Sequence, residues 1–115
     1  MATDTRVFEL RTYVATPGKI DALLARFRDH TTALFEKHGI TNIAYWVATD
    51  DEGKPTETLI YLLAHASREA AQESWATFRV DPDWIAAREA SEVDGRLTAN
   101  VTAVYLNPTD FSELH

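Results

Sequence analysis

The chain has 115 residues, 45% of them apolar and 25% charged, which is the size and composition of one globular domain spanning residues 1–115. A formal net charge of −7 argues against partners that need a basic surface, namely nucleic acid and anionic membranes. Cysteine is absent, which excludes disulfides, thiolate metal sites and a cysteine nucleophile. The first residues lack the pattern of a secretory signal, and the longest apolar run, 59–64, is too short to span a bilayer, so we expect a cytoplasmic protein.

The first half of the chain is predicted to form a strand followed by a long helix. Period-two alternation indicates a strand over residues 6–14. Thr16 is then the expected cap of a helix that ends at about His38, where Gly39 supplies the stop. The apolar stripe of this helix consists of Ile20, Leu23, Leu24, Phe27, Thr31, Leu34 and His38. The residues expected to face solvent on its other sides are Arg26, Asp29, Glu36 and Lys37.

The second half is predicted to contain three more strands and two helices. Strands are expected over 41–48, 57–65 and 96–106, the first two joined by the turn "TDDEGKPT". Ser67 is expected to cap the second helix, and Asp81, followed by a proline, to cap a short third helix. The buried side of the second helix is expected to carry Ala71, Trp75 and Phe78.

The predicted order of elements, β-α-β-β-α-(α)-β, is that of a split β-α-β repeat. Such a repeat folds as a four-stranded antiparallel sheet with helices on one face. Right-handed crossovers leave few other arrangements for this order. We therefore predict an α+β fold of the ferredoxin-like type.

Both faces of the predicted sheet are largely apolar, although helices can cover only one of them. In the third strand, for example, Leu59 and Leu63 face one way while Leu62 faces the other. Large apolar side chains left in water would form a patch beyond the roughly few hundred Å² that a monomer tolerates. We therefore expect a homodimer in which two sheets pack face to face and form a dimeric α+β barrel.

The first strand carries a polar row on one of its two faces. If Phe8 and Leu10 face the helices, the alternation places Glu9, Arg11 and Tyr13 in the space between the two sheets of the dimer. A carboxylate, a guanidinium and a phenol would then lie on the wall of an otherwise apolar cavity.

Several stretches resemble the NIPSNAP family over residues 7–114. They are "FELRTYVATPGKIDALLARFRDH", "LFEKHGI", "YW", "DPDW" and "LNPTDFSEL". The resemblance implies a dimeric α+β barrel, in agreement with the two apolar faces. It implies little chemistry, because the wider group of such barrels includes cofactor-independent oxygenases of aromatic polyketides, haem-degrading and haem-using enzymes, and members without known activity. Many relatives have His-hydrophobic-Trp in the third strand, where this chain has Tyr61 and reaches a histidine only at His65.

The candidate catalytic residues are Arg11, Tyr13 and His65. The guanidinium of Arg11 is suited to hold a carboxylate or phenolate, with Tyr13 donating a hydrogen bond. The alternative is an ion pair at the subunit interface, in which Glu9 neutralises Arg11. His65 is the histidine suited to proton transfer or haem ligation, or else it is structural. The candidate ligand-binding residues, which are alternatively core or interface residues, are Glu9, Trp46, Tyr61 and Tyr105.

Other polar residues give weaker indications. Asn100 and Thr102, on one row of the fourth strand, either add polar contacts to the cavity or face solvent. No metal site is expected, because His30 and His38 lie about 12 Å apart along the first helix and cannot share an ion. No cofactor is expected either, except that the resemblance extends to a group of barrels in which some members bind haem.

Three functional hypotheses follow from these patterns. The first is a dimer that binds a small apolar or aromatic molecule in a cavity, with cofactor-independent oxygenase or cyclase activity as its enzymatic form. The second is a non-catalytic binding or scaffolding dimer whose interior is filled by its own side chains. The third is a haem-binding protein. The fold alone does not decide among them.

Overall fold

The computed structural model describes residues 6–115 and contains a four-stranded antiparallel sheet. Its strands are β1 (Val7–Ala15), β2 (Thr41–Thr49), β3 (Pro55–His65) and β4 (Thr98–Leu106). The order across the sheet is β2-β3-β1-β4, so β1 and β3 are central and β2 and β4 form the edges. This is the ferredoxin-like arrangement, and the predicted fold class is confirmed.

The helices pack on one face of the sheet. The first helix runs without a break through α1 (Ile20–Arg26), a π-helical turn (Phe27–Thr31) and α2 (Thr32–Lys37). The other two are α3 (Arg68–Arg79) and α4 (Pro82–Ser91). Along residues 6–115, no helix is both long and apolar enough to cross a bilayer. The cytoplasmic location expected from the sequence stays a prediction.

The first helix begins later than the sequence predicted. Gly18 has a φ of 82°, a left-handed geometry that an α-helix does not include, and α1 therefore starts after Lys19. Thr16 is not the cap, because its carbonyl accepts a hydrogen bond from the amide of Lys19 at 2.8 Å and closes a turn instead. The helix ends as predicted, since Gly39 has the left-handed φ of 82°.

The π-helical turn shifts the pattern of buried residues along the first helix. Thr31 Oγ1 donates to the carbonyl of Arg26 at 3.3 Å, and Thr32 makes the equivalent bond one residue later at 3.2 Å. Because such a turn inserts one extra residue, the helix rotates, and Phe35 rather than Leu34 is completely buried. Arg26 is also buried, with 6% of its surface exposed, so the prediction that it faces solvent is wrong.

The other two helices begin at their predicted caps. Ser67 Oγ accepts a hydrogen bond from the amide of Ala70 at 3.0 Å, at the start of α3. The carboxylate of Asp81 accepts one from the amide of Asp83 at 2.8 Å, at the start of α4. These contacts satisfy amides that have no partner within the helix. The buried side of α3 carries Ala71, Trp75 and Phe78, as predicted.

Glu9, Arg11 and Tyr13 face the helices, whereas the sequence placed them on the other side of the sheet. The carboxylate of Glu9 accepts a hydrogen bond from Trp75 of α3, and the guanidinium of Arg11 lies over the same indole ring. Phe8 occupies the opposite face. The prediction is wrong because it gave the helix-facing side to the more apolar row, while the polar row can be buried when its members hydrogen-bond one another.

The side of the sheet away from the helices is called the open face below. It consists of Phe8, Leu10, Thr12 and Val14 of β1, Ala44 and Trp46 of β2, Thr58, Ile60, Leu62 and Ala64 of β3, and Asn100, Thr102, Val104 and Leu106 of β4. None of these residues is charged, and Trp46 is 51% exposed. The carboxyl-terminal segment 107–114 lies over one corner and forms a cleft of about 280 Å³ with Phe8. At that corner the chain itself therefore covers part of the open face.

Candidate ligand-binding cavity

A cavity of about 590 Å³ opens between the helices and the sheet. Its walls combine aromatic rings from β1, the first helix, α3 and α4 with charged side chains. The aromatic residues that line it are Tyr13, Phe27, Phe35, Trp75, Phe78 and Trp84. The charged residues that line it are Arg26, Arg88, Glu89, Glu92 and Arg96. This size and lining suit a small planar molecule.

Arg11 is the centre of a hydrogen-bonded network behind the wall of the cavity. Its Nη1 donates to Glu9 Oε2 at 2.7 Å and its Nε to the hydroxyl of Tyr61 at 3.0 Å. Its Nη2 donates to the hydroxyl of Tyr13 at 3.2 Å. The central carbon of the guanidinium lies 4.4 Å from the centre of the Trp75 ring. Every nitrogen of this side chain has a partner, so its position is closely defined.

Glu9 is the anionic partner of Arg11 and is only 2% exposed. Its Oε1 accepts hydrogen bonds from Trp75 Nε1 and His65 Nε2, each at 2.9 Å. Burial alone would raise the pKa of Glu9, but the hydrogen bonds from His65, Trp75 and Arg11 outweigh it, and the pKa is lowered. Burial alone would lower the pKa of Arg11, yet its oxygen partners, Tyr61 foremost, raise it. The two groups therefore form an ionised pair.

Tyr13 and Tyr61 share a hydrogen bond of 3.0 Å between their hydroxyl groups. Each hydroxyl also accepts a hydrogen bond from Arg11, so each has one hydrogen of its own to donate. Tyr61 is completely buried, and burial, followed by the neighbouring Tyr13, raises its pKa well above the ordinary value. When Tyr61 donates to Tyr13, the hydrogen of Tyr13 is left for another acceptor. Tyr13 is also the member of this network that lines the cavity.

The structure brings only part of the predicted site to the cavity. Trp46 lies on the open face, where it pairs with Ile60 of β3, and cannot contact a molecule held between helices and sheet. Tyr105 lies on the helix-facing side of β4, with the guanidinium carbon of Arg68 3.8 Å from its ring centre. Asn100 and Thr102 lie on the open face and are exposed. The predicted residues in the network behind the wall are Glu9, Arg11, Tyr61 and His65.

Of the residues that line the cavity, only Tyr13 was among the candidate site residues, and two of those that were missed are Arg26 and Trp84. Arg26 was expected in solvent, and nothing in the helical pattern marks it, because its side chain is buried by contact with the end of α4, at Ser91 and Glu92. Trp84 belongs to the stretch "DPDW" that marks the start of the third helix and the family resemblance, and it was not a candidate site residue. A large aromatic residue in the first turn of α4, two positions after its initial proline, was the available signal for a ring at the cavity.

The structure offers little support for a metal or haem site. Among the residues from 6 to 115, no group of three or more histidine, aspartate or glutamate side chains is placed to hold a metal ion. His65, the histidine considered for haem, is buried behind the cavity wall, and its Nε2 is occupied by Glu9. Its Nδ1 is buried without a hydrogen-bond partner. His65 therefore does not present a free nitrogen to the cavity as an axial ligand for haem.

Comparison with known families gives one match, and it covers nearly the whole chain. The model of the NIPSNAP family matches residues 8–113, which is the family that the sequence motifs resemble. A comparison with curated proteins finds no match. The assignment therefore depends on the family model and on the solved structures described next.

Solved structures with this fold include proteins of the same family. A NIPSNAP family protein of unknown function from Agrobacterium tumefaciens has a TM-score of 0.82 and 22% identity, covering 99% of this chain and 97% of that chain. Another from the same organism has a TM-score of 0.81 and 27% identity, covering 96% and 99%. A protein from Chloroflexus aurantiacus, provisionally named an antibiotic biosynthesis monooxygenase, has a TM-score of 0.58 and 20% identity, covering 96% and 100%.

Proposed function

The chain belongs to the NIPSNAP family, and from that premise we propose that it binds a small aromatic molecule in the cavity between its helices and its sheet. The observation that carries this proposal is the cavity itself, which has a volume of about 590 Å³ and six aromatic side chains on its walls. A scaffolding protein whose interior is filled by its own side chains would be packed without such a space. Ligand binding therefore explains the interior better than scaffolding does.

Tyr13 is the residue that orients the ligand in this proposal. Arg11 and Tyr61 hold its hydroxyl oxygen from behind, and the remaining hydrogen is available to an oxygen of the ligand. The ring of the ligand would then pack among the aromatic walls, where edge and face contacts favour a planar molecule.

The geometry supports binding more directly than it supports a reaction. A cofactor-independent oxygenase or cyclase needs a base in contact with its substrate. Glu9 and His65, the bases considered from the sequence, are buried behind the wall and hydrogen-bonded to each other. The carboxylates at the cavity are Glu89 and Glu92. The likeness to the Chloroflexus protein is at 20% identity and extends to the fold, which does not assign a reaction.

Calorimetric titration with 2-naphthol, a planar probe with one oxygen, tests the proposal. We expect saturable binding to the wild type. Tyr13→Phe should weaken it about three- to tenfold, the usual worth of one neutral hydrogen bond. Tyr105→Phe is the matched control, because Tyr105 does not line the cavity, and should bind like the wild type. A titration without saturation would contradict the proposal, and equal affinities of the wild type and Tyr13→Phe would remove Tyr13 from it.

We further propose that the chain forms a homodimer through the open face. A net charge of −7 opposes contact between two copies, and an uncharged contact surface lessens this repulsion. The strand residues of the open face are uncharged, and the guanidinium of Arg6 lies at the edge of this face, 5.1 Å from the centre of the Phe8 ring. Exposed Trp46 and Val104 give this face apolar area to bury. Two copies related by a two-fold axis would present the same surface to each other and close a barrel.

A further inference from the structure

Arg26 is a buried arginine whose hydrogen-bonding groups are incompletely used. Within residues 6–115 its hydrogen bonds leave from Nη1 alone, to Ser91 Oγ at 3.1 Å and Glu92 Oε2 at 3.3 Å. Its Nε is buried and has no hydrogen-bond partner. Since a guanidinium has five N–H donors, most of the donors of this buried cation have no acceptor within the described residues.

The pairing of Arg26 is weaker than that of Arg11. The Arg11–Glu9 contact of 2.7 Å is typical of a charge-assisted hydrogen bond, whereas the Arg26–Glu92 contact of 3.3 Å is longer. The same oxygen of Glu92 also lies 3.4 Å from the amide of Leu97. Arg11 is thus fully held by its neighbours, while Arg26 can still bind an anion.

Arg26 lines the same cavity as Tyr13. Its guanidinium carbon lies 5.1 Å from the centre of the Trp84 ring, which is one of the aromatic walls. Arg88 and Arg96 also line the cavity, and the three arginines outnumber the two glutamates of the lining. A net positive lining in a chain of net charge −7 favours an anionic ligand.

We infer that the cavity selects aromatic molecules that carry a carboxylate, and that Arg26 is the residue that binds this group. The inference rests on the proposed function, since it names the chemical class of the ligand in the same cavity. A planar carboxylate matches the planar donor fork of a guanidinium. The aromatic part of the ligand lies among the rings, with Tyr13 available to a further oxygen on it.

The test compares 2-naphthoate with 2-naphthol at pH 7 by calorimetry, because the first probe is ionised and the second is neutral. Wild type should bind 2-naphthoate about tenfold more tightly, as expected for an added charge-assisted hydrogen bond. Arg26→Met, which keeps an unbranched aliphatic side chain and removes the charge, should greatly reduce this preference, while Arg88 and Arg96 remain in the lining. Arg28→Met, at an exposed position of the same helix, is the matched control and should behave like wild type.

Each outcome of this test decides a different point. Equal affinity of wild type for the two probes would overturn the inference and leave aromatic binding in place, whereas failure of both probes to bind would overturn both. If Arg26→Met does not fold, the NMR signal of the Arg26 Nε–H group in wild type supplies the answer. It should shift when 2-naphthoate is added and stay in place with 2-naphthol, and no shift with 2-naphthoate would also overturn the inference.

Discussion

Glu9 and Arg11 form a pair in which each charge depends on the other. Removing one member of a buried ion pair is costly, because the remaining charge stays buried without its partner. We therefore expect Glu9→Gln to lower the free energy of unfolding by about 3 kcal/mol. Urea unfolding followed by circular dichroism measures this change. Glu73→Gln, at an exposed position of α3, is the control and should change the value by less than about 0.5 kcal/mol.

The pH dependence of unfolding checks the same prediction independently. Burial opposes ionisation of Glu9, but its hydrogen bonds prevail, and its pKa lies below the ordinary value of 4.5. Such a group stabilises the fold above pH 4.5, and its contribution is lost as the pH falls through the lowered pKa. Wild type should therefore lose more stability than Glu9→Gln between about pH 6 and pH 3. Parallel curves for the two proteins would contradict this account.

The sequence predicts that Glu9, Arg11 and Tyr13 share one face of the first strand, but it does not predict which side of the sheet that face lies on. Period-two alternation places Glu9, Arg11 and Tyr13 on one face of a strand, and they do share it. Which face is buried depends on hydrogen bonds to Tyr61 and Trp75, which are far away along the chain. Local patterns do not contain such contacts, and the burial of Arg26, at the end of α1, was missed for the same reason.

Among the helices, Asp81 connects the end of the first helix with the start of α4, and through His38 it is linked to α3. Besides capping α4, its carboxylate lies 2.6 Å from His38 Nε2 and 2.8 Å from Lys37 Nζ, at the end of the first helix. His38 Nδ1 in turn lies 2.9 Å from Thr77 Oγ1 of α3. The sequence predicted the cap and placed His38 at a helix end, but it did not predict that one carboxylate joins them.

Substitutions at Asp81 should separate its two roles. Asp81→Asn keeps a side-chain oxygen for the cap and loses the charge, whereas Asp81→Ala loses both. The urea concentration at the midpoint of unfolding should therefore fall from wild type to Asp81→Asn and again to Asp81→Ala. Hydrogen bonds from Lys37 and then His38 lower the pKa of Asp81, so the advantage of wild type over Asp81→Asn should be complete above the ordinary pKa of 3.8 and decrease progressively as the pH falls from there toward the lowered pKa. Asp83→Asn is the exposed control. Equal midpoints for Asn and Ala would show that the cap contributes nothing.

The strands and later helices could be predicted because their signals are local. Side-chain alternation gives β2 and β3 nearly their observed bounds, and the capping residues give α3 and α4 their observed starts. The delayed start of the first helix involves a distant partner, since the amide of Gly18 donates to Glu57 Oε2 at 2.8 Å. That contact links residues 39 positions apart, and no pattern within the helix could reveal it.

For the whole molecule, the proposed dimer is tested by a charge on the open face. Trp46 is 51% exposed there, and a carboxylate at this position would face its own copy across a two-fold interface. We expect wild type to sediment as a dimer at micromolar concentration and Trp46→Glu as a monomer. Val93→Glu, at a position that is 80% exposed outside the sheet, is the control and should remain dimeric. A monomeric wild type would contradict the proposal.

β1 lies at the centre of the sheet, and its consecutive residues point alternately to the cavity side and to the open face. A shift of β1 by one residue would move every side chain of the cavity side to the open face and the reverse. β1 should therefore not tolerate insertions or deletions. The turn between β2 and β3 is different, because residues 50–54 are exposed and Gly53 and Lys54 bond only to the nearby Asp50. An added peptide or label should be tolerated at this turn and not in the central strand.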